Sequence, residues 1–349
     1  MKKFIMILVC AGVFCSCSSD SEVKSSENYI EEFKVANISA EIRNDLNQIY
    51  IFVFPENYES ILAAQPSNIK CSENATLTNS GGNWTDKDFL YTVTAENGEQ
   101  RSYRVYIDIA RRKYSFESWG ITNGYYSPSD SNSSWSSGNP GIKMALQILE
   151  RDAENPKSYP TRDTTDIYGG AVLLETLEGG NVFGREVYLF SGNFFLGNFN
   201  VSKAISDELA ATEVGRMYTA KPKSIKGYYK YKEGPGVFMS KGVPEPGRND
   251  SCNIYAHFYR SESNITLSVK DIDKSNLVIA TGRLPNCSET EGDEFQPFEL
   301  TLNNYKSEPD FANHSYKLAI VFSASKNGDV FAGKIGSKLI IDEIEITDY

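Results

Sequence analysis

Glu117 sits in Tyr114-Ser-Phe-Glu-Ser-Trp, and Asp342 sits far downstream in Leu339-Ile-Ile-Asp-Glu-Ile. Both segments read as strands, the first and the last of one domain. First and last strands are often neighbours in a closed sandwich, which would bring the two carboxylates together. Carboxylates are hard oxygen donors, and calcium takes roughly six to eight oxygen ligands. The alternative is that both are solvated residues capping strand ends. A second chemistry is sugar recognition, which needs flat aromatic faces and a few polar groups. Trp119, Tyr125, Tyr126 and Trp135 fall in a Ser/Asn/Gly-rich stretch read as loops, where aromatics are exposed more often than in strands. Tyr228, Tyr229 and Tyr231 form a second group, and period two puts Tyr228 opposite the other pair. Tyr255 and Tyr259 alternate with Ile254, Ala256 and Phe258, so they point outward if the latter face is core.

Catalysis has less support. A glycosidase needs two carboxylates about 5–5.5 or 6.5–9.5 Å apart. The chain has 46 acidic residues, and Glu175, Glu178, Asp250, Asp271 and Asp273 all qualify without a distinguishing context. With only His257 and His314, neither a zinc site nor a Ser–His–Asp triad is signalled. Ser323-Ala-Ser-Lys326 has Ser-x-x-Lys spacing, but it runs into an Asn-Gly turn and reads as chance. No phosphate loop or dinucleotide fingerprint is present. No catalytic residue is assigned.

Elements must position these groups, and the ends of the chain set their compartment. Lys2 and Lys3 precede a broken apolar run too short to span a bilayer, so it reads as an export signal. The run ends in Phe14-Cys15-Ser16-Cys17, which resembles a bacterial lipoprotein signal. Residues 1–16 would be removed, and Cys17 would carry the acyl chains and anchor the protein in the outer membrane. Its periplasmic or cell-surface face is left open. Residues 17–28 are poor in apolar side chains and read as a flexible tether. The formal charge of −11, without a basic cluster, excludes nucleic acid as a partner. Lys221 to Lys232 alternates with tyrosines and reads as a solvated strand edge. An oxidising compartment permits a Cys252–Cys287 bridge.

Residues 29–110 alternate with period two and are punctuated by turns, as in a small immunoglobulin-like sandwich. Gln48–Phe54 reads as a core strand. Phe89–Ala95 and Arg101–Ile109 flank Asn97-Gly98, a primed-turn pair. Residues 110–113 are a short basic joint, so two abutting units are expected. Residues 114–349 read as a single all-β domain, a sandwich or barrel with a jelly roll as the commonest closure, with strands at 171–176, 194–199, 224–231, 253–259, 265–269, 277–281, 295–302, 316–323 and 338–346. The window from Val201 to Val214 supports a short surface helix at most. Asp342 and Glu343 interrupt the alternation of the last strand, and Gly227 precedes paired aromatics, so a bulge or close backbone approach is expected at each.

Several segments in order carry a resemblance: Ser137-Gly-Asn-Pro-Gly, Gly169-Gly-Ala-Val-Leu-Leu-Glu-Thr, Ser191-Gly-Asn-Phe-Phe-Leu-Gly-Asn-Phe, Asp250-Ser-Cys-Asn-Ile-Tyr-Ala and Gly336-Ser-Lys-Leu-Ile-Ile-Asp-Glu-Ile. Together they look like the "putative carbohydrate metabolism domain" of gut Bacteroidetes lipoproteins. Tyr91-Thr-Val-Thr-Ala-Glu-Asn-Gly-Glu resembles the last hairpin of the immunoglobulin-like modules that precede such domains. The resemblance implies an all-β protein, with a jelly-roll sandwich like carbohydrate-binding modules behind an immunoglobulin-like one. It also makes Glu117 and Asp342 similar to the structural calcium ligands of those modules. The expected role is a non-catalytic, glycan-binding accessory to polysaccharide use. The alternatives are a structural or adhesive protein that binds another protein, and a polysaccharide hydrolase or lyase.

Overall fold

The computed structural model describes residues 24–129, 134–165, 169–204, 206–261 and 265–349. The export signal and Cys17 lie outside them. The expected tether ends earlier than residue 28. Ser25 O already accepts from Asn97 N at 3.0 Å, and Asn28 is buried. Polar side chains dock there because Arg101 Nε donates to Asn28 Oδ1 at 3.0 Å.

Glu41–Arg43, Gln48–Val53, Gln100–Ile109, Leu90–Thr94 and Thr76–Asn79 form one sheet in that order. Ile38–Ser39, Ile30–Val35 and Pro66–Cys71 form another, and the two share a core of Ile30, Phe33, Val35, Ile49, Ile51, Tyr91 and Tyr103. Gln48–Val53 runs parallel to Gln100–Ile109. The Asn97-Gly98 turn differs from expectation, because only Gly98 has positive φ (92°). Ala95 N donates to Glu99 O and Gly98 N to Ala95 O, so the loop has one extra residue and needs one left-handed position.

The remainder is two packed sheets. The first has the order Thr161–Thr165, Gly170–Val182, Lys338–Asp348, Pro222–Lys232, Gln296–Thr301, with Lys113–Tyr114 paired to Lys338–Asp348. The first and last strands are therefore neighbours, as expected. The second has the order Leu267–Ser268, Thr212–Val214, Asn193–Phe199, Ser315–Ser323, Asn253–Ser261, Val278–Arg283. Val172, Leu174, Ile225, Leu339 and Ile341 of the first meet Phe194, Ile254, Phe258, Leu318 and Phe322 of the second in one core. Every strand expected between residues 171 and 346 is present within two residues of its predicted bounds, except that the one expected at 171–176 runs on to Val182.

Two departures matter. The first is an unforeseen ten-residue helix, Asn139–Ile148. Pro140 opens it where a missing N–H costs nothing, and Ile142 and Leu146 pack one turn apart on Tyr159 and Ala153. The second is that Asn253–Ser261 is buried on both faces. Tyr255 and Tyr259 do not face solvent, because Val214, Leu267, Ile272 and Val278 fold back over them.

The N-terminal sheets meet this sandwich through a buried ion network. Arg216 Nη1 lies 3.0 Å from Glu41 Oε1, which also accepts from Arg43 Nε at 3.0 Å. Lys317, fully buried, is close enough to act on the same carboxylate. The joint is pinned as well: Arg112 pairs with Glu56 at 3.0 Å and with Asp348 at 2.7 Å.

Candidate functional site

The outward face of the first sheet carries an open groove of about 760 Å³. Strand register builds it. Lys113 is opposite Glu345, Glu345 opposite Lys226, and Lys226 opposite Glu299, so four adjacent strands present a row of alternating charge. Lys113 Nζ lies 3.2 Å from Glu345 Oε1, and Lys226 Nζ lies 3.7 Å from Glu299 Oε1. The next row is Asp342, Tyr228 and Pro297, of which Tyr228 and Pro297 line the groove and Asp342 is fully buried. Tyr228 is half-buried, and Phe298, whose ring packs into the core, borders the groove.

A β-bulge shapes this groove. Lys226 and Tyr228 are separated by Gly227 alone, whereas their partners Glu345 and Asp342 are separated by both Glu343 and Ile344. Glu343 takes up the extra residue at φ 49°, a left-handed conformation costing a non-glycine residue about 1–2 kcal/mol. Its amide donates to Asp342 Oδ1 at 2.8 Å, and its side chain is exposed in the groove lining. Gly227 is required opposite, since a Cβ there would stand 2.7 Å from Ile344 Cδ1 and 2.9 Å from Phe298 Cε1. The bulge and the close approach expected at these positions are the two halves of one device.

Of the predicted aromatics, Tyr228 alone reaches this groove. Tyr229 and Tyr231 belong to the core, as does Trp135, which stacks on Phe194 at 4.9 Å. Trp119–Thr122 and Tyr125–Pro128 are not loops; they form a hairpin through Asn123 (φ 54°) and Gly124 (φ 85°), the primed turn expected elsewhere. Trp119, Tyr125 and Tyr126 are half-buried around a cavity of about 90 Å³, well below the roughly 300–1,000 Å³ of ligand pockets.

Glu117 is exposed and lies just outside the short strand Lys113–Tyr114; its Oε2 accepts from Gly170 N at 2.9 Å. Two residues on, Val172 pairs with Ile341, which precedes the fully buried Asp342. Glu117 is thus tied to the start of the strand that pairs with the one carrying Asp342. Two carboxylates are short of a calcium ligand set. Among the described residues no group of three or more His, Cys, Asp or Glu converges as a metal site.

Of the other candidate carboxylates, Glu175, Asp250 and Asp271 have structural partners, and Glu178 accepts from Arg151 through its backbone carbonyl. Glu175 pairs with Arg162 and with Lys338. Asp250 Oδ2 accepts from Ser325 Oγ (2.6 Å), Ser337 Oγ (2.8 Å) and Lys334 N (2.9 Å), a buried network that ties three loops together. Asp271 accepts from Ser268 Oγ at 2.9 Å. Ser323 bonds to Ser191 and to Ser325 O, while Lys326 is exposed. Cys252 and Cys287 are buried neighbours, Cys252 N to Cys287 O being 3.0 Å, and both thiols are free.

Asp273 differs. On the outward face of the second sheet, His257 Nε2 lies 3.0 Å and Arg283 Nη2 3.4 Å from Asp273 Oδ1. The Arg283 guanidinium sits 4.4 Å over the Tyr255 ring. Burial pushes His257 below its ordinary value, against the pull of Asp273. Asp329 feels the charge of this cluster: partial burial first, and the Asp273 charge besides, raise its carboxyl above the usual aspartate range.

Residues 112–347 match the model of a family described as "Putative carbohydrate metabolism domain". The chain belongs to that family. Two crystal structures of family-like proteins resemble it, each described as a putative glycoside hydrolase. The one from Bacteroides thetaiotaomicron is 29% identical, covers 94% of this chain and 98% of its own, and has a TM-score of 0.67. The one from Bacteroides vulgatus is 32% identical, covers 68% and 98%, and has a TM-score of 0.59. No curated protein matches the chain. The family member described here is thus a carbohydrate-associated β-sandwich related to proteins described as putative glycoside hydrolases. Sequence alone did not find Glu299, Glu343, Glu345, Lys113 or Lys226. Alternation puts four of them on outward faces, but only the pairing register puts them in one row.

Proposed function

We propose that this protein holds a polysaccharide along the groove of the first sheet. The observation that carries the reading is Tyr228 beside Pro297 and Phe298, flanked by Lys–Glu pairs, in an open groove of about 760 Å³. A sugar ring presents an apolar face to an aromatic ring and hydroxyls to charged groups, and this lining offers both. The expected accessory role is one version of this reading. The relatives' descriptions favour a second version more directly, in which the chain also cleaves glycan. Asp273, with His257 Nε2 at 3.0 Å, and Asp329, whose carboxyl is raised by burial and by the Asp273 charge, favour it on physical grounds, because carboxyls pushed to different titration ranges divide acid and base roles. The two versions use opposite faces of the sandwich. Incubating the full chain with a polysaccharide panel, and following both binding and reducing-end release, tests them. Binding without release supports the accessory role. Release that falls about 100-fold or more in Asp329→Asn supports hydrolysis. Absence of both binding and release would sink the proposal, and the alternative of a protein-binding adhesin would then stand.

We carry four further expectations forward as proposals. Cys17 bears the lipid that anchors the protein in the outer membrane; the N-terminal sheets are an immunoglobulin-like spacer; the larger part closes as a jelly roll; and calcium bridges Glu117 and Asp342 with backbone carbonyls. Intact-mass analysis tests the first: an acyl-free N-terminus would end it. A thermal melt tests the last: no shift with EDTA, and no calcium by elemental analysis, would end that one.

A further inference from the structure

The charges lining the groove narrow the class of glycan. We infer that its ligand is an uncharged polysaccharide, an inference that rests on the groove being the glycan site. The lining contains two cations, Lys113 and Lys226, and three anions, Glu299, Glu343 and Glu345. Each of these lysines already faces a glutamate, at 3.2 Å and 3.7 Å. A uronate or sulfate group would have to displace a glutamate from its lysine and then sit beside Glu343. The next outward lysine along the strand, Lys230, faces Asp293 at 3.6 Å and adds no free cation to the lining. The chain's charge of −11 adds a repulsive background. A neutral hydroxyl has no such conflict. It accepts from a lysine and donates to a carboxylate, so every Lys–Glu pair in the row can bond a hydroxyl in both senses without being broken. Tyr228 and Pro297 supply the apolar surface on which the ring's C–H groups rest.

The test measures affinities of the full chain for neutral polysaccharides (β-glucan, galactan, mannan, xylan), acidic ones (polygalacturonate, alginate, chondroitin sulfate) and cationic chitosan oligosaccharides. The expected result is tightest binding to a neutral member, changing less than about twofold between about 50 and 300 mM salt. Tightest binding to an acidic or cationic member, or a steep salt dependence, overturns the inference while leaving the groove as a glycan site. Absence of binding to every member removes the proposed function, and the inference goes with it. Glu343→Lys makes the lining net positive and keeps the bulge. Its affinity for polygalacturonate should rise about tenfold at low salt with an unchanged melting temperature. An unchanged affinity means that lining charge does not select the ligand, which also overturns the inference.

Discussion

The two sheets of the larger part turn very different faces away from their shared core. Pro222–Lys232 presents Lys226, Tyr228, Lys230 and Lys232 outward, none of them buried. Asn253–Ser261 presents Tyr255, His257 and Tyr259 outward, and all three are buried. Both strands alternate with period two, and both put an apolar set inward. The difference comes from what lies on top. The segments around Val214 and from Leu267 to Val278, with Glu41 of the N-terminal sheets, fold over the second sheet, whereas the groove of the first is left open. An open sheet face is available to a long ligand. A covered face can hold groups with displaced titration, because burial penalises charge. The proposed glycan site thus uses the open face, while the displaced, buried His257 lies on the covered one.

The largest expected effects lie on the covered side. Burial pushes the Glu41 carboxyl up, but Arg216, Lys317 and Arg43 outweigh it and hold it at about 2 against an ordinary 4.5. A depressed carboxylate stabilises the fold fully above its unfolded value, and that stabilisation is lost as pH falls through the folded value. Glu41 therefore contributes on the order of 3 kcal/mol above pH 4.5, lost progressively down to about pH 2. Glu41→Gln leaves Arg216 and Lys317 buried without their counter-charge, and should cost about 3–5 kcal/mol at neutral pH. Thermal melts between pH 2 and 7 check this: the variant should melt lower and show a flatter acid limb. Glycan affinity in the groove should not change. A variant as stable as the parent would mean that this contact does not hold the N-terminal sheets.

A matched pair of tyrosines gives the next effect. Tyr255→Ala on the covered face should cost about 3–5 kcal/mol of stability, since it empties packed volume. Tyr228→Ala on the open face should cost little stability and lower glycan affinity about 30-fold, the equivalent of about 2 kcal/mol. Calorimetric binding and thermal melts on both variants separate the roles. If Tyr228→Ala binds as tightly as the parent, the open groove is not the site.

The open face was partly legible from sequence, and the covered face was not. Period two separated Tyr228 from Tyr229 and Tyr231, and the broken alternation at Asp342-Glu343 with Gly227 marked the bulge. These are local signals. The row Lys113, Glu345, Lys226, Glu299 depends on pairing between strands up to 232 residues apart, which no local pattern encodes. Tyr255 and Tyr259 were read as outward because alternation reports two faces, not what is placed over them. Trp135 misled for a similar reason: its polar neighbours suggested a loop, but it pairs as a strand against Leu196 and its ring fills the core. The helix Asn139–Ile148 was hidden by Gly138 and Gly141, although Ile142, Ala145, Leu146 and Leu149 have helical spacing.

The smallest expected effect bears most directly on the comparison. Glu343 sits at φ 49° with no apolar burial to compensate the strain. Glycine would remove a cost of about 1–2 kcal/mol, offset by about 0.5–1 kcal/mol of extra unfolded-chain entropy. Glu343→Gly should therefore melt slightly higher, by a degree or two. Strain retained at one position is characteristic of residues held for function. If Glu343 is held to place a carboxylate in the groove, the same variant should bind glycan several-fold more weakly while being more stable. Opposite signs in the two measurements would assign the bulge to ligand binding. A gain in stability with no change in affinity would make Glu343 only the residue that closes the bulge, and the search for the site would move to Asp273 and Asp329 on the opposite face.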